Sequence, residues 1–348
     1  MTSTPRKPAE TLRLRHIAQA TGLSIGTISK VLNGREGVSE ENREKVRQVV
    51  SEMGFARWPT MKPAENAVKS ITVITYSVGT YGGTFYEHVI KSMIETGRKR
   101  GIAIEVNLLM LPLAQADIAD AHLLQNGTPE ALILLGVDQQ PVLDRIAALG
   151  CPTILVNGID PRMRFDSICP DYYLGGYLAT QHLLDLGHRD IVHVGTRRRL
   201  TLDLRRQGFV AALAHAGIQY DPARHYIDIG SQVFAMLDEN ILDAQIDDAG
   251  KLKSTAFFAV ADEVAINVMQ KLNARGFSVP GDASVIGFDD LSVSAYCIPA
   301  LTTLHSDLAL LGQLAIDTLI ERAAQPGKHI SRFSIGTSLV GRDSTAAL

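Results

Sequence analysis

Over the first sixty positions, apolar residues recur at the spacing of short helices. Leu14, Ile17 and Ala18 stand at i, i+3 and i+4, which predicts a short helix with one apolar stripe. Thr21-Gly22-Leu23 follows, and Gly22 suits the positive φ of a tight turn between helices. Ser24 fits an N-cap, its hydroxyl accepting from an amide in the next turn. A second helix is predicted from Ile25 to about Leu32, with Ile28, Val31 and Leu32 inward and Ile25, Gly26, Ser29, Lys30 and Asn33 outward. Asn33-Gly34 ends it as a turn pair. Ser39 caps a third helix, with Val46, Val49, Val50 and Met53 inward and Gly54 as its stop. Two short helices about a glycine turn, closed by a third, predict a helix-turn-helix unit, with a generic three-helix bundle as the competing reading.

From Ser70 onward the pattern changes, and short β-branched or aliphatic runs alternate with amphipathic stretches. Strands are predicted at Ile71–Tyr76, Ala103–Leu108, Ala131–Leu135, Thr153–Val156, Asp190–Val194, Tyr226–Ile229, Thr255–Val260 and Ala283–Phe288. This alternation implies parallel sheets covered on both faces. Eight units exceed one compact sheet, so two lobes with a cleft between them are expected, and ligands of such sheets bind beyond the carboxyl ends of the strands. The expected architecture is therefore an all-α head ahead of an α/β body of two parallel-sheet lobes.

Composition narrows the function. A chain of 348 residues, 46% hydrophobic and 20% charged, is a folded protein of two or three domains. Its net charge of −3 argues against nucleic acid only as an average. Residues 1–63 hold 11 Lys/Arg against 6 Asp/Glu, whereas residues 64–348 hold 23 against 31. A basic head on an acidic body suits a protein with one end facing a polyanion. Cys151, Cys169 and Cys297 are too far apart for a zinc or CxxC site and read as thiols of a reducing compartment. No apolar run follows the charges of the N-terminus and none approaches the ~20 residues of a membrane helix, so a cytoplasmic location is expected.

Enzyme signatures are missing. Gly79, Gly82 and Gly83 do not have the dinucleotide-turn spacing, and neither a GxxxxGK[ST] loop nor a GxSxG elbow occurs. His182, His188 and His193 make no metal-ligand pair, and His188 reads as satisfying backbone at a helix end. Asp289 and Asp290, if extended, point to opposite sides, a poor acid–base pair. Arg197-Arg198-Arg199 suits an anion, although a solvated loop is the favoured reading. No catalytic residue, cofactor or metal is expected.

The run LRHIAQATGLSIGTISKVLNGREGVSEENREKVRQVVSEMGF resembles the head of lactose-repressor-type (LacI/GalR) regulators throughout its length. The matched features are A-x-x-x-G-(L/V)-S at Ala18 to Ser24, T-(I/V)-S-(K/R)-V-L-N-G at Thr27 to Gly34, and V-S-x-x-x-R-x-x-V at Val38 to Val46. The resemblance implies that the second helix enters the major groove of operator DNA, with Ile25, Gly26 and Lys30 at base-reading positions. Gly26 has no side chain to read with, which leaves Lys30 as the chief reader. The full DNA-facing set expected is Arg13, Arg15, Ser24, Ile25, Gly26, Thr27, Ser29, Lys30 and Asn33, with Arg13, Arg15, Ser29 and Lys30 near phosphates. After Phe55 the family's Pro-Asn pair and hinge leucine are replaced by Ala56 through Ala64, with Pro63 interrupting any helix begun at Pro59. An extended linker is favoured there, with a base-wedging Trp58 or Met61 as the alternative.

Asp171 to Gly176 with HLLDLGHRDIVHVG, Arg205-Arg206-Gln207-Gly208-Phe209, and Ser284 to Ile320 resemble the same family's body. That likeness implies a periplasmic-binding-protein-like fold with a small effector, a sugar or sugar derivative, in the cleft, and assembly into a homodimer or tetramer. The expected division is a head at 1–58, an atypical linker at 59–69 and a body at 70–348. Within the body, lobe 1 is expected at about 70–166 plus 298–325 and lobe 2 at about 167–297 plus 326–348. By family position Arg205, Asp289 and Asn157 face the effector, a fork of donors, an acceptor and a polar amide. Phe85 and Tyr86 offer a wall or stacking face for a sugar ring, with core packing as the close alternative. Ala261 stands where the family often has Asn, which argues against a standard hexose pose. The function these features imply is a repressor whose operator affinity answers to its effector. A solute-binding protein and an enzyme with an accessory DNA domain are the rivals.

Overall fold

The computed structural model describes residues 16–32, 37–52, 68–76, 85–109, 128–230 and 236–348, and the chain divides into two compact units, Met1–Asn66 and Ala67–Leu348. In the first unit a helix over 16–21 (α1) leads into Gly22, whose φ of +69° makes the turn. Ser24 Oγ then accepts from the Thr27 amide at 3.0 Å and starts α2, Ile25–Leu32. Ser39 Oγ does the same for Asn42 at the head of α3, Glu40–Glu52. Ile17, Ile28, Val31, Val46 and Val50 form the core, edged by Ala18, Leu23, Val38 and Val49. Leu14 and Met53, expected beside them, lie outside the described residues.

In the second unit a six-stranded parallel sheet has the order β2-β1-β3-β4-β5-β11. Its strands are β1 Ser70–Tyr76, β2 Ala103–Leu109, β3 Leu132–Leu135, β4 Thr153–Val156, β5 Asp166–Pro170 and β11 Arg332–Ile335. Period two divides β3 between two cores: Ile133 and Leu135 meet Val89 and Met93 of α4 (Phe85–Arg100) and Leu311 and Ile316 of a C-terminal helix. Leu132 and Leu134 meet Leu143 and Ile146 of α5, Gln140–Leu149, on the other face. The second sheet, β7-β6-β8-β9, comprises β6 Ile191–Gly195, β7 Tyr226–Asp228, β8 Ala256–Ala259 and β9 Ser284–Ile286. Its faces are likewise both buried, Ala256 and Phe258 beneath α6 (Tyr172–Asp185) and α7 (Leu200–His215). Phe257 and Ala259 lie beneath α9 (Asp262–Ala274), which follows the short α8, Pro222–His225. All eight predicted strands have counterparts here.

Four strands were not expected. The strand β5 extends the first sheet, and β11 pairs with it, Arg332 opposite Ser167. Asp166–Pro170 and Arg332–Ile335 are therefore strands of the first sheet. Arg332-Phe333-Ser334-Ile335 and Asp166-Ser167-Ile168-Cys169-Pro170 carry too few apolar residues to announce themselves as core strands. The strand β10, Thr303–Ser306, precedes α10, Leu308–Ala324, and pairs antiparallel with β12, Thr337–Val340. Only the last residues return to lobe 2, where the Ser344 carbonyl accepts from the Val285 amide. His188 bonds Thr255, Ser284 and the Ala346 carbonyl, stapling that tail rather than capping its own helix.

Candidate functional site

On the head, α2 is fixed by Ile28 and Val31, which are buried, and its other side faces solvent. Ile25 is 40% exposed, Gly26 and Lys30 are exposed, and Thr27 and Ser29 are half-buried. Ser24 is exposed but engaged: its hydroxyl caps α2 and bonds Thr27 Oγ1 at 2.8 Å. Among the described residues a Cβ at Gly26 would meet only Ser24 Oγ. Lys30 stands in the last turn of α2 and, like Gly26, is open to solvent. Arg13, Arg15 and Asn33 lie outside the described residues, as do Trp58, Met61 and Pro63 of the join.

In the body, the residues expected around an effector converge where the two lobes meet. Arg205, on α7, lies over two adjoining rings, its guanidinium carbon 4.0 Å from the Phe288 centroid and 4.5 Å from that of Tyr172. One of its nitrogens donates to Asp289 Oδ1 at 3.1 Å, another to the Val260 carbonyl, and Nε is buried without a partner. Asp289 sits at φ +110°, outside the range favoured by a side chain, which aims its carboxylate at Arg205. Burial pushes that carboxyl up to about 6, against the opposing pull of Arg205. Asp290 points elsewhere, to Arg342 and His305, although the pair is not extended as the opposed-sides reading supposed, Asp290 lying at φ +53°.

Asn157 follows β4 in a left-handed conformation, φ +52°, and its amide is held at both ends. Its Oδ1 accepts from the Tyr172 hydroxyl at 2.7 Å, and its Nδ2 donates to Tyr86 Oη at 3.3 Å. Phe85 goes into the core of lobe 1, edge-on to Tyr86, so of that pair Tyr86 presents its polar end here.

Arg199 corrects the reading of the arginine run as a solvated loop. Arg197 is solvated, but Arg199 is a tenth exposed and reaches from lobe 2 into lobe 1. It donates to both oxygens of Asp138 at 3.1–3.3 Å, to Tyr86 Oη at 3.1 Å and to the Asn157 carbonyl. Its acceptors lie 61, 113 and 42 residues away in sequence, beyond any local pattern. Tyr172 was also missed, although it opens α6 directly after the Asp171 cap.

Beneath this layer, Ala261 is packed into the apolar core of lobe 2. Asp262 beside it accepts from the Leu291 amide and from the Ser294 and Thr303 hydroxyls, and burial with the nearby Asp289 charge pushes it up to about 7. Among the described residues no group of three or more His, Cys, Asp or Glu is placed to hold a metal ion.

A helix-turn-helix unit in the same chain as a two-lobed, ligand-binding type of body defines a DNA-binding regulator. Residues 13–57 match the family described as bacterial regulatory proteins, lacI family, and residues 180–345 match the periplasmic binding protein-like domain. The chain is 28% identical over 343 residues to the ribose operon repressor of Haemophilus influenzae, covering 96% of this chain and 99% of that one. It is 27% identical over 339 residues to the PurR transcriptional repressor of Histophilus somni, with the same coverage, 96% and 99%. Among solved structures, the complex of the regulator CelR with cellobiose has a TM-score of 0.69 at 24% identity over 95% of this chain and 99% of that one. A LacI-family regulator from Enterococcus faecium with bound ribose gives 0.66 at 24% identity over 80% of this chain and all of its own length. The lac repressor dimer on its operator with an anti-inducer gives 0.66 at 23%, over 99% and 100%. The chain thus carries a lacI-family head and a periplasmic-binding-protein-like domain and matches repressors over nearly its whole length: it is an effector-controlled, DNA-binding transcriptional regulator and not an enzyme.

Proposed function

We propose that this regulator represses transcription as a cytoplasmic homodimer whose effector is a sugar or sugar derivative held between the lobes by Arg205, Asp289, Asn157 and Tyr86, with Phe85 backing the wall. One observation carries the reading: a buried guanidinium whose Nε has no partner among the described residues, packed against two adjoining rings beside a carboxylate. A polyol supplies what that arrangement lacks, hydroxyls that accept from Arg205, donate to Asp289 and lay C–H faces on aromatic rings. The relatives agree in kind, being named for a ribose operon in one case and solved with ribose or cellobiose in others. Ala261 contributes no polar group, so hydroxyl recognition falls on the residues just named. Operator contact falls on Ile25, Gly26 and Lys30 at bases, and on Arg13, Arg15, Ser24, Thr27, Ser29 and Asn33 at phosphates and groove edges. Residues 59–69 join this head to the body.

The test is a thermal-shift screen of the full chain against D-ribose, cellobiose, sugar acids and nucleosides. A ligand at a hundred times its Kd stabilises by about 2.7 kcal/mol, and that shift is expected to vanish in Arg205→Ala and in Asp289→Ala. A sugar that still stabilises both variants binds elsewhere and ends the assignment.

A further inference from the structure

Tyr172 stands at the place where the chain first leaves lobe 1 for lobe 2. The strand β5 ends at Pro170 in the first sheet, and α6 begins at Tyr172 and packs into the core of lobe 2. Its two functional ends face different lobes. The hydroxyl donates to Asn157 at the end of β4 in lobe 1, while the ring lies against the Arg205 guanidinium of lobe 2. From Asn157 the bonds continue through Tyr86 to Arg199 of lobe 2 and end on Asp138 of lobe 1. Tyr172 O–H donates to Asn157 Oδ1 and Asn157 Nδ2–H to Tyr86 Oη, which also accepts from Arg199, so the two arms of the chain meet on that oxygen. The two bonds through the Asn157 amide run head to tail and strengthen each other. Burial holds the Tyr172 phenol in its donor form.

We propose that Tyr172 is a positioning residue that makes Arg205 and the Arg199–Asp138 ion pair one coupled unit, so that what Arg205 meets is felt at the opposite lobe contact. The aromatic face fixes the guanidinium, and the hydroxyl orients the Asn157 amide, which orients Tyr86 under Arg199. Asp289, Arg205, Tyr172, Asn157, Tyr86, Arg199 and Asp138 then have one joint arrangement rather than seven separate ones. The functional meaning rests on the proposed effector site, because Arg205 is its reader. The linkage itself does not require an effector, and its test is made without one.

Hydrogen exchange of the full-length chain reads it. Tyr172→Phe keeps the ring on Arg205 and deletes only the hydroxyl. Exchange is expected to rise about five-fold at the amides of 199–202, to which the Tyr172 hydroxyl, bonded to Asn157, makes no hydrogen bond, and to stay unchanged at 208–213 of α7. Asp138→Asn loosens the far end of the chain, and the double variant is expected to raise exchange at 156–158 by clearly less than the product of the two single effects. A rise confined to Asn157 and its neighbours, or a double effect equal to the product, overturns the proposal. If Tyr172→Phe loses its fold, Asp138→Asn alone decides: exchange at 172–175 rises if the chain is coupled and does not move if it is not. A negative result here leaves the Arg205 and Asp289 screen untouched, so the two readings fail separately.

Discussion

Asp262 accepts three hydrogen bonds, from Leu291, Ser294 and Thr303, and its charged neighbour is Asp289 rather than a cation. Both carboxyls are raised by burial, to about 7 and about 6, above the usual carboxylate range. A folded-state pKa above the unfolded value means that the native protein binds more protons than the unfolded chain between about pH 4 and 7. Stability therefore falls as pH climbs through that window and levels off above it. Asp262→Asn keeps a carbonyl for the Leu291 amide and cannot ionise, so its melting temperature is expected to depend less on pH between 5 and 8. Melting curves at each pH check this, and a variant with the parent slope would place the titration elsewhere. Arg205 makes a second case at the same scale. Arg205→Lys keeps the charge but loses the planar fork that lies on Tyr172 and Phe288, and about a tenfold or greater loss of effector affinity is expected by calorimetry.

The helices α6 and α7 cross backbone to backbone, and glycine makes that possible. A Cβ on Gly208 would collide with the Tyr173 carbonyl, and one on Gly176 with the Arg205 carbonyl. The run Arg205 to Phe209 thereby becomes a single device: Gly208 seats the helix, Phe209 anchors it in the core, and Arg205 emerges one turn earlier at the site. Gly208→Ala has no flexible side chain to displace, so a destabilisation of about 3 kcal/mol is expected, with weakened effector binding because Tyr172 and Arg205 are pushed apart. Denaturant unfolding checks the first, and an unchanged midpoint would contradict the close crossing. Elements like these show what could be read in advance. The bounds of α2 and the turn at Gly22 follow from residues adjacent in sequence, and doubly buried strands such as β3 are continuous apolar runs. The edge pair β5 and β11 was invisible, since half its residues face outward or are polar and its partners lie 165 positions apart, as for Ser331 and Asp166. For the same reason Arg205 and Asp289 were found through resemblance, whereas Arg199, whose role is set wholly by distant acceptors, was not.

At the scale of the whole molecule, charge and chemistry are divided between the two units. Residues 1–63 carry an excess of five positive charges and residues 64–348 an excess of eight negative ones. An acidic body repels DNA, so attraction to the duplex must come from the head, and it is screened by salt while sugar binding is not. For a dimer making about six to ten phosphate contacts, affinity is expected to drop about 10³–10⁵-fold between 50 and 200 mM salt. Single residues then separate two kinds of contact. Arg13→Gln and Arg15→Gln are each expected to lower the salt slope by about one per head, with little change in the ratio of operator to non-specific binding. Lys30→Ala, on the exposed face of α2, is expected to lower that ratio about tenfold or more, because a lost base contact costs about 1–3 kcal/mol only on the correct sequence. Titrations of each variant against operator and scrambled duplexes at several salt concentrations measure both quantities. If Lys30→Ala changes the slope and leaves the ratio intact, Lys30 grips phosphate, and sequence reading must rest on Ile25 and on the close approach that Gly26 permits. The effector does not enter this comparison, because it can shift operator affinity only through its own preference between arrangements of the body. A sugar that alters the ratio equally in parent and Lys30→Ala would therefore locate control in the body and discrimination in the head.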